Sequence, residues 1–254
     1  LHDHDLHQRP DPNANAAGHG DKSIAQPTLG IIGAGKVGSA LARLYSARGY
    51  AVTAVFSRDE GRRQGLAARS GAAAVSSHAE AAMLADLTIL AVPDDALELV
   101  VTNLAAVRWE GKGVVHTSGV YGASALAPLR SKGAMTGGLH PAFPFADADT
   151  AVEMLPGATF AIEAEDATLH KWLIGLVETL NGRVLEVPPG SKALYHAALV
   201  IASNYTVTLY AAAERLLLSM GADRAAADAA LNALVGVTVE NLRRQGVPDA
   251  LTGP

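Results

Sequence analysis

Between Thr28 and Val187 the chain alternates short apolar runs with longer stretches in which apolar positions recur every three or four residues. The runs are Leu29–Gly33, Ala51–Phe56, Ala72–Val75, Leu87–Val92, Gly113–Thr117, Met135–Leu139, Ala158–Ile162 and Arg183–Val187. Runs of this length read as strands, and the 3.6-residue period between them reads as helix. Their regular alternation predicts strand-helix units wound around a mostly parallel sheet with helices on both faces. After Pro188 and Pro189 the texture changes: from Gly190 to Gln245 there is no strand pattern, only Ala- and Leu-rich helical sequence broken near Met220-Gly221. The expected fold is therefore α/β, a doubly wound sheet domain over 25–188 followed by an all-helical domain over 189–254. The apolar stripes of Asp166–Leu180 and Ala211–Leu218 are expected in the core.

Residues 1–24 break both patterns. They carry His2, His4, His7, His19, Pro10 and Pro12 with almost no apolar run, too little to offset the entropy of ordering, so a disordered tail is expected. Closely spaced imidazoles and carboxylates there would chelate a metal only weakly and without defined geometry, and no metal site is assigned. The 254 residues contain no cysteine, which excludes disulfide scaffolds, zinc-thiolate sites, iron-sulfur clusters and thiol catalysis. Lys and Arg total 20 against 25 for Asp and Glu, so no excess positive charge is present to hold nucleic acid or an anionic membrane. The N-terminus lacks the apolar segment of a signal peptide, and a cytoplasmic protein is expected. Ala193–Ala213 has no Asp, Glu, Lys or Arg, but His196, Ser203, Asn204, Thr206 and Thr208 interrupt it and would need partners in lipid. A helix buried in the protein or at a subunit contact fits better, and a homodimer through the helical half is expected.

The first strand runs into Gly33-Ala34-Gly35-Lys36-Val37-Gly38, a G-x-G-x-x-G string at the start of an amphipathic helix. In that setting the first glycine allows a tight turn, the second lets a pyrophosphate approach the backbone, and the third lets helix and strand pack closely. Free amides at the helix N-terminus then face the phosphates. An overlapping G-x-x-x-x-G-K reading, Gly30 to Lys36, fails because Val37 has no hydroxyl for magnesium. At the end of the second strand, where an acidic residue would select NAD, the sequence has Ser57 and Arg58, with Arg62 and Arg63 a helical turn later. A hydroxyl and a guanidinium suit a 2′-phosphate, so the expected cofactor is NADP. The alternative is that Arg58 is a solvated loop residue and Asp59 or Glu60 serves the ribose.

Further motifs narrow the picture: Leu90-Ala-Val-Pro-Asp-Asp95, His116-Thr-Ser-Gly119, Leu139-His140-Pro141, and Lys192-Ala-Leu-Tyr-His196 running on to Ser203-Asn204. With Gly33–Gly38 they resemble, in order and spacing, the Rossmann-like oxidoreductases whose helical C-terminal half is catalogued as domain of unknown function 2520. The layout is more distantly similar to pyrroline-5-carboxylate reductase, ketopantoate reductase and the beta-hydroxyacid dehydrogenases. The resemblance covers nearly everything after the tail and implies that substrate binds between an NADP domain and a helical domain. It also implies that the helical domain continues past Leu251–Pro254. Where beta-hydroxyacid dehydrogenases and ketopantoate reductase have Lys-x-x-x-Asn, this chain has Lys192 and His196.

At about 100° per residue, Lys192, His196 and Ser203 share one helix face, with Tyr195 and Leu199 beside them. Reduction of a carbonyl or imine needs a proton donor near the atom that gains electrons, and Lys192 is the candidate donor with His196 orienting the substrate. The alternative is that Lys192 caps a surface turn and His196 is a satisfied core imidazole. Ser203 and Asn204 join the candidate substrate contacts. His116 and Ser118, at the C-terminal end of a strand, and His140 beside Pro141 are placed to meet nicotinamide or substrate. Equally, Ser118 caps the next helix and Pro141 only sets the loop. Val92 and Pro93 are expected to shape the cofactor's path. The resulting expectation is an NADP-dependent oxidoreductase of a small keto acid, ketone or imine; the alternative is a non-catalytic NADPH sensor.

Overall fold

A computed structural model describes residues 25–251; the tail expected over 1–24, with its histidine string, lies outside the described residues. Eight strands form one sheet: β1 (Leu29–Ile32), β2 (Val52–Phe56), β3 (Ala73–Ala74), β4 (Leu87–Leu90), β5 (Gly113–His116), β6 (Met135–Pro141), β7 (Thr159–Ala164) and β8 (Arg183–Glu186). Between and after them lie α1 (Lys36–Ala47), α2 (Glu60–Ser70), α3 (His78–Met83), α4 (Leu97–Asn103), α5 (Ala127–Arg130), α6 (Ala148–Met154), α7 (Ala167–Thr179), α8 (Lys192–Val200), α9 (Thr206–Ser219) and α10 (Arg224–Gln245). Local chemistry sets several boundaries. The Asp59 carboxylate accepts from the Arg62 amide at the start of α2, and Gly71 ends that helix in the left-handed region, with φ of 69°. Asp166 and Asp223 cap α7 and α10 in the same way.

The sheet order is β3-β2-β1-β4-β5-β6-β7-β8. All neighbours are parallel except β6 and β7, which pair antiparallel with Leu139 opposite Ile162. The continuous apolar runs have their explanation in the core, because alternate residues of each strand feed opposite layers. Leu29, Ile31, Val55, Ile89 and Val115 pack on one side with Leu41, Tyr45, Leu169 and Leu173, while Ile32, Phe56, Leu90 and Val114 pack on the other with Val100, Leu104 and Trp109. Strand order turns at β1 and β4, and there the C-terminal strand ends open a crevice.

The helical part departs from two expectations. Ala193–Ala213 is not one regular helix: a π-helical turn spans Ile201–Tyr205 between α8 and α9. The Ala211–Leu218 stripe, expected in the core, is only half-buried, with Leu216 exposed. Among the described residues α9 packs chiefly against α10 and the π-helical turn before it, which leaves Leu209 and Leu216 exposed. The Asp166–Leu180 stripe is core, through Leu169, Leu173, Leu176, Val177 and Leu180. Among the described residues, no helix is long and apolar enough to cross a membrane.

Candidate functional site

The crevice beside β1 is a cleft of about 320 Å³, lined by Gly33, Ala34 and Gly35, by Ser57, Arg58, Asp59 and Arg62 beyond β2, and by Val92 and Pro93 beyond β4. Gly33 has φ of +111°, and a Cβ there would lie 2.2 Å from the Ala91 carbonyl oxygen. A Cβ on Gly38 would lie 1.9 Å from the Gly33 carbonyl oxygen, so α1 closes directly onto the turn. Gly35 is the opposite case. It precedes α1 without a side-chain cap, and a Cβ there would meet nothing within 4 Å. The first amides of α1, with Lys36 and Val37 in its opening turn, are therefore left to whatever anion enters the cleft.

At the far end of the cleft, Arg58 and Arg62 supply cations and Ser57 a hydroxyl. Arg63 is turned inward and donates to the Ser57 carbonyl at 3.1 Å, which fixes the loop. Asp59 is engaged by the Arg62 amide at 2.9 Å and by the Arg62 guanidinium at 3.4 Å, so its carboxylate already serves the helix start. His78, which the sequence reading passed over, also lines this corner and packs on the Phe56 ring with centroids 4.3 Å apart. Burial, and secondarily Arg58, lower its pKa.

A second cluster forms where α8 crosses the C-terminal ends of β5 and β6. His116 ends β5, and its Nε2 lies 3.0 Å from the Gly122 carbonyl. Lys192, at the start of α8, is only 4% exposed, and its Nζ lies 5.3 Å from the Tyr195 ring centroid. One helical turn aligns Tyr195 with β6, where its hydroxyl is 2.8 Å from His140 Nδ1. The His140 and His196 rings both press on Gly119. A Cβ at that glycine would lie 2.8 Å from His140 Nε2 and 3.2 Å from His196 Nδ1, so the close approach excludes any side chain there. Burial drives His116 and His140 down to about 4, with Lys192 adding to the effect on each, so both imidazoles are neutral at pH 7. Burial also lowers the Lys192 pKa, opposed by Glu163, and pushes Tyr195 up to about 12.

The fold thus gathers Lys192, His196, His116 and His140, while Gly33–Gly38, Ser57, Arg58, Val92 and Pro93 line or flank the cleft. Ser118 is buried, but its hydroxyl accepts from the Val120 and Tyr121 amides at 3.1 and 3.0 Å and so serves the turn. Ser203 and Asn204 are not brought in; both are exposed on the π-helical turn. A shared helix face ignored distance along the axis, which at 1.5 Å per residue puts Ser203 roughly 16 Å beyond Lys192. The π turn also changes the angular advance per residue. Glu163 on β7 was missed: it is 7% exposed and its carboxylate acts on Lys192. A carboxylate inside the apolar run Phe160-Ala-Ile-Glu163-Ala was the available signal. Among the described residues, no group of three or more His, Cys, Asp or Glu is placed to hold a metal ion.

Comparison with known proteins places this geometry. The Rossmann-like domain model matches residues 10–141, and the model described as Domain of unknown function (DUF2520) matches residues 158–254, taking in β7 and β8 as well as the terminal helices. A Bacteroides fragilis protein designated an NADP oxidoreductase is 24% identical, with a TM-score of 0.72 over 91% of this chain and 86% of its own. Plasmodium falciparum pyrroline carboxylate reductase with NADP bound is 16% identical, with a TM-score of 0.64 over 89% and 84%. An imine reductase from Myxococcus stipitatus in complex with NADP+ is 21% identical, with a TM-score of 0.62 over 85% and 76%. At these identities the likeness is one of fold. No curated protein sequence matches the chain. The chain belongs to the Rossmann-like domain family, and a DUF2520 domain follows the Rossmann-like part.

Proposed function

We propose that the protein is an NADP-dependent oxidoreductase that reduces a small keto acid, ketone or imine bound between the sheet and α8. The observation that carries this reading is that an anion-receptive glycine turn and a buried lysine whose Nζ has no hydrogen-bond partner stand at the C-terminal edge of one sheet. Val92 and Pro93 lead from the first to the second, with Asp94 next in the chain and acting on His116 and His140. The residues fit the cofactor. The uncapped start of α1 and the open side of Gly35 would take the pyrophosphate, and Ser57, Arg58 and Arg62 would hold a ribose 2′-phosphate. When bound, the reduced nicotinamide supplies a hydride. Lys192 holds the proton that the acceptor atom needs, His196 positions the acceptor over Gly119, and the Tyr195–His140 hydrogen bond keeps both rings in place. The burial of Lys192 lowers its pKa, which brings its proton transfer closer to neutrality. NADP-bound relatives of the same fold, a pyrroline carboxylate reductase and an imine reductase among them, support the reading.

A homodimer belongs to the same proposal. Leu194, Ile201, Val207, Leu209, Leu216 and Met220 are exposed along α8 and α9, and Leu234 and Val237 along α10. An apolar surface of this extent on one domain is best covered by its own copy. The test of function is a fluorescence titration with NADPH, followed by a screen of NADPH oxidation against small keto acids, ketones and cyclic imines. Turnover of one of them is the expected result. Tight binding with no turnover of any would favour the sensor reading.

A further inference from the structure

Three buried polar side chains converge on Gly138 in β6. A Cβ there would lie 3.6 Å from His116 Cε1, 3.7 Å from Lys192 Nζ and 3.9 Å from Glu163 Cβ. All three side chains are more than nine-tenths buried. Each nevertheless keeps a polar atom without a hydrogen-bond partner: His116 Nδ1, Glu163 Oε2 and Lys192 Nζ. Unsatisfied buried polar groups are costly, and three together around one strand-end glycine mark a place where a ligand completes the network.

The charges at this place are specific. Lys192 is the cation of the cluster; the Glu163 carboxylate, whose oxygens would lie 3.3 and 3.4 Å from a Cβ on Gly122, acts on it through space and favours its charged form. His116 and His140 carry no charge at neutral pH, and Asp94 adds negative potential to both. A substrate carboxylate entering here would lose its hydration without gaining an unbalanced cation.

Resting on the oxidoreductase reading above, we propose that this site takes an uncharged carbon–nitrogen double bond without a carboxylate at the reacting end, and that Glu163 sets the preference. The chemistry balances for that class. The proton passes from Lys192 Nζ to the imine nitrogen, leaving a neutral amine on Lys192 and an iminium on the substrate, so the positive charge moves while it stays within the field of Glu163. The iminium carbon then accepts two electrons as hydride from the reduced nicotinamide, giving an amine and the oxidised cofactor. A ketone at the same place develops an alkoxide beside Glu163, and the two negative charges repel. Glu163 acts through Lys192 and through the field of the site, as a specificity-determining and positioning residue.

The experiment is calorimetric binding to the NADP+-loaded protein, in which no turnover occurs, with 2-methyl-1-pyrroline and 1-pyrroline-2-carboxylate as probes that differ by a methyl against a carboxylate. The methyl compound should bind about tenfold or more tightly than the carboxylate, and Glu163→Gln should narrow the ratio to under about threefold. Equal or tighter binding of the carboxylate by the unmutated protein, or binding of neither ring, overturns the proposal. The unmutated comparison stands even if Glu163→Gln fails to fold. A prior titration showing that NADP+ does not bind would instead overturn the oxidoreductase reading, and this proposal with it.

Discussion

Lys192 is 4% exposed, lies against the Tyr195 ring and leaves its ammonium without a hydrogen-bond partner. A buried cation in that state is costly unless a ligand or a reaction uses it. If it supplies the proton, Lys192→Ala lowers turnover about 100-fold or more, roughly 2.7 kcal/mol of transition-state stabilisation, while NADPH affinity changes less than about threefold. Steady-state kinetics on the substrate found by screening, beside a cofactor titration, measures both. Turnover that survives within about threefold moves the donor role to His196, His116 or His140. In the cleft beside β1 the decision rests on Arg58. Asp59 already serves the start of α2, so Ser57 and Arg58 are left to meet the ribose. NADPH should bind about tenfold more tightly than NADH, about 1.4 kcal/mol, and Arg58→Ala should erase the difference. Equal affinities in the unmutated protein, measured by fluorescence titration, would remove the assignment.

At the scale of elements, α8 carries two tasks on one helix. Its first turn delivers Lys192 and Tyr195 to the strand ends, while Leu194 on the outer side is 77% exposed. The π-helical turn at Ile201–Tyr205 separates this segment from α9, whose Val207, Leu209 and Leu216 also face outward. If a second copy covers these residues, light scattering at micromolar protein should give a dimer mass, and Leu194→Asp combined with Leu209→Asp should shift it to the monomer without loss of helical circular dichroism. A monomer in the unmutated protein would count against the dimer. The same elements show why periodicity could not place Ser203: a face is preserved along a regular helix, but neither axial distance nor a change of helix type is visible in residue spacing.

At the scale of the whole molecule, stability should depend on acid through the sheet's buried imidazoles. The folded state holds His116 at about 4 against 6.5 when solvated, because burial disfavours its charged form. Below 6.5 the unfolded chain binds the proton first, so the contribution is complete above that pH and is lost as pH falls toward about 4, on the order of 3 kcal/mol. His140 acts in the same direction. Urea unfolding at about pH 7.5 and about pH 4.5 should show this loss, and His116→Gln should reduce it; an unmoved midpoint would contradict the assignment. The strand-helix alternation, the glycine turn and the helical texture after Pro189 were legible in the sequence, because each is written in local periodicity or in the conformational needs of a few adjacent residues. Three things were decided only by the tertiary structure. Glu163 and Lys192 come to the same glycine because the antiparallel pairing of β6 and β7 sets Glu163 opposite Gly138. Tyr195 finds His140 across 55 positions of chain. Ala211–Leu218 is only half-buried because, among the described residues, α9 packs chiefly against α10 and the π-helical turn. Contacts between distant segments depend on sheet order and on how elements close over one another, and an apolar stripe has the same periodicity whether it faces a core or another molecule.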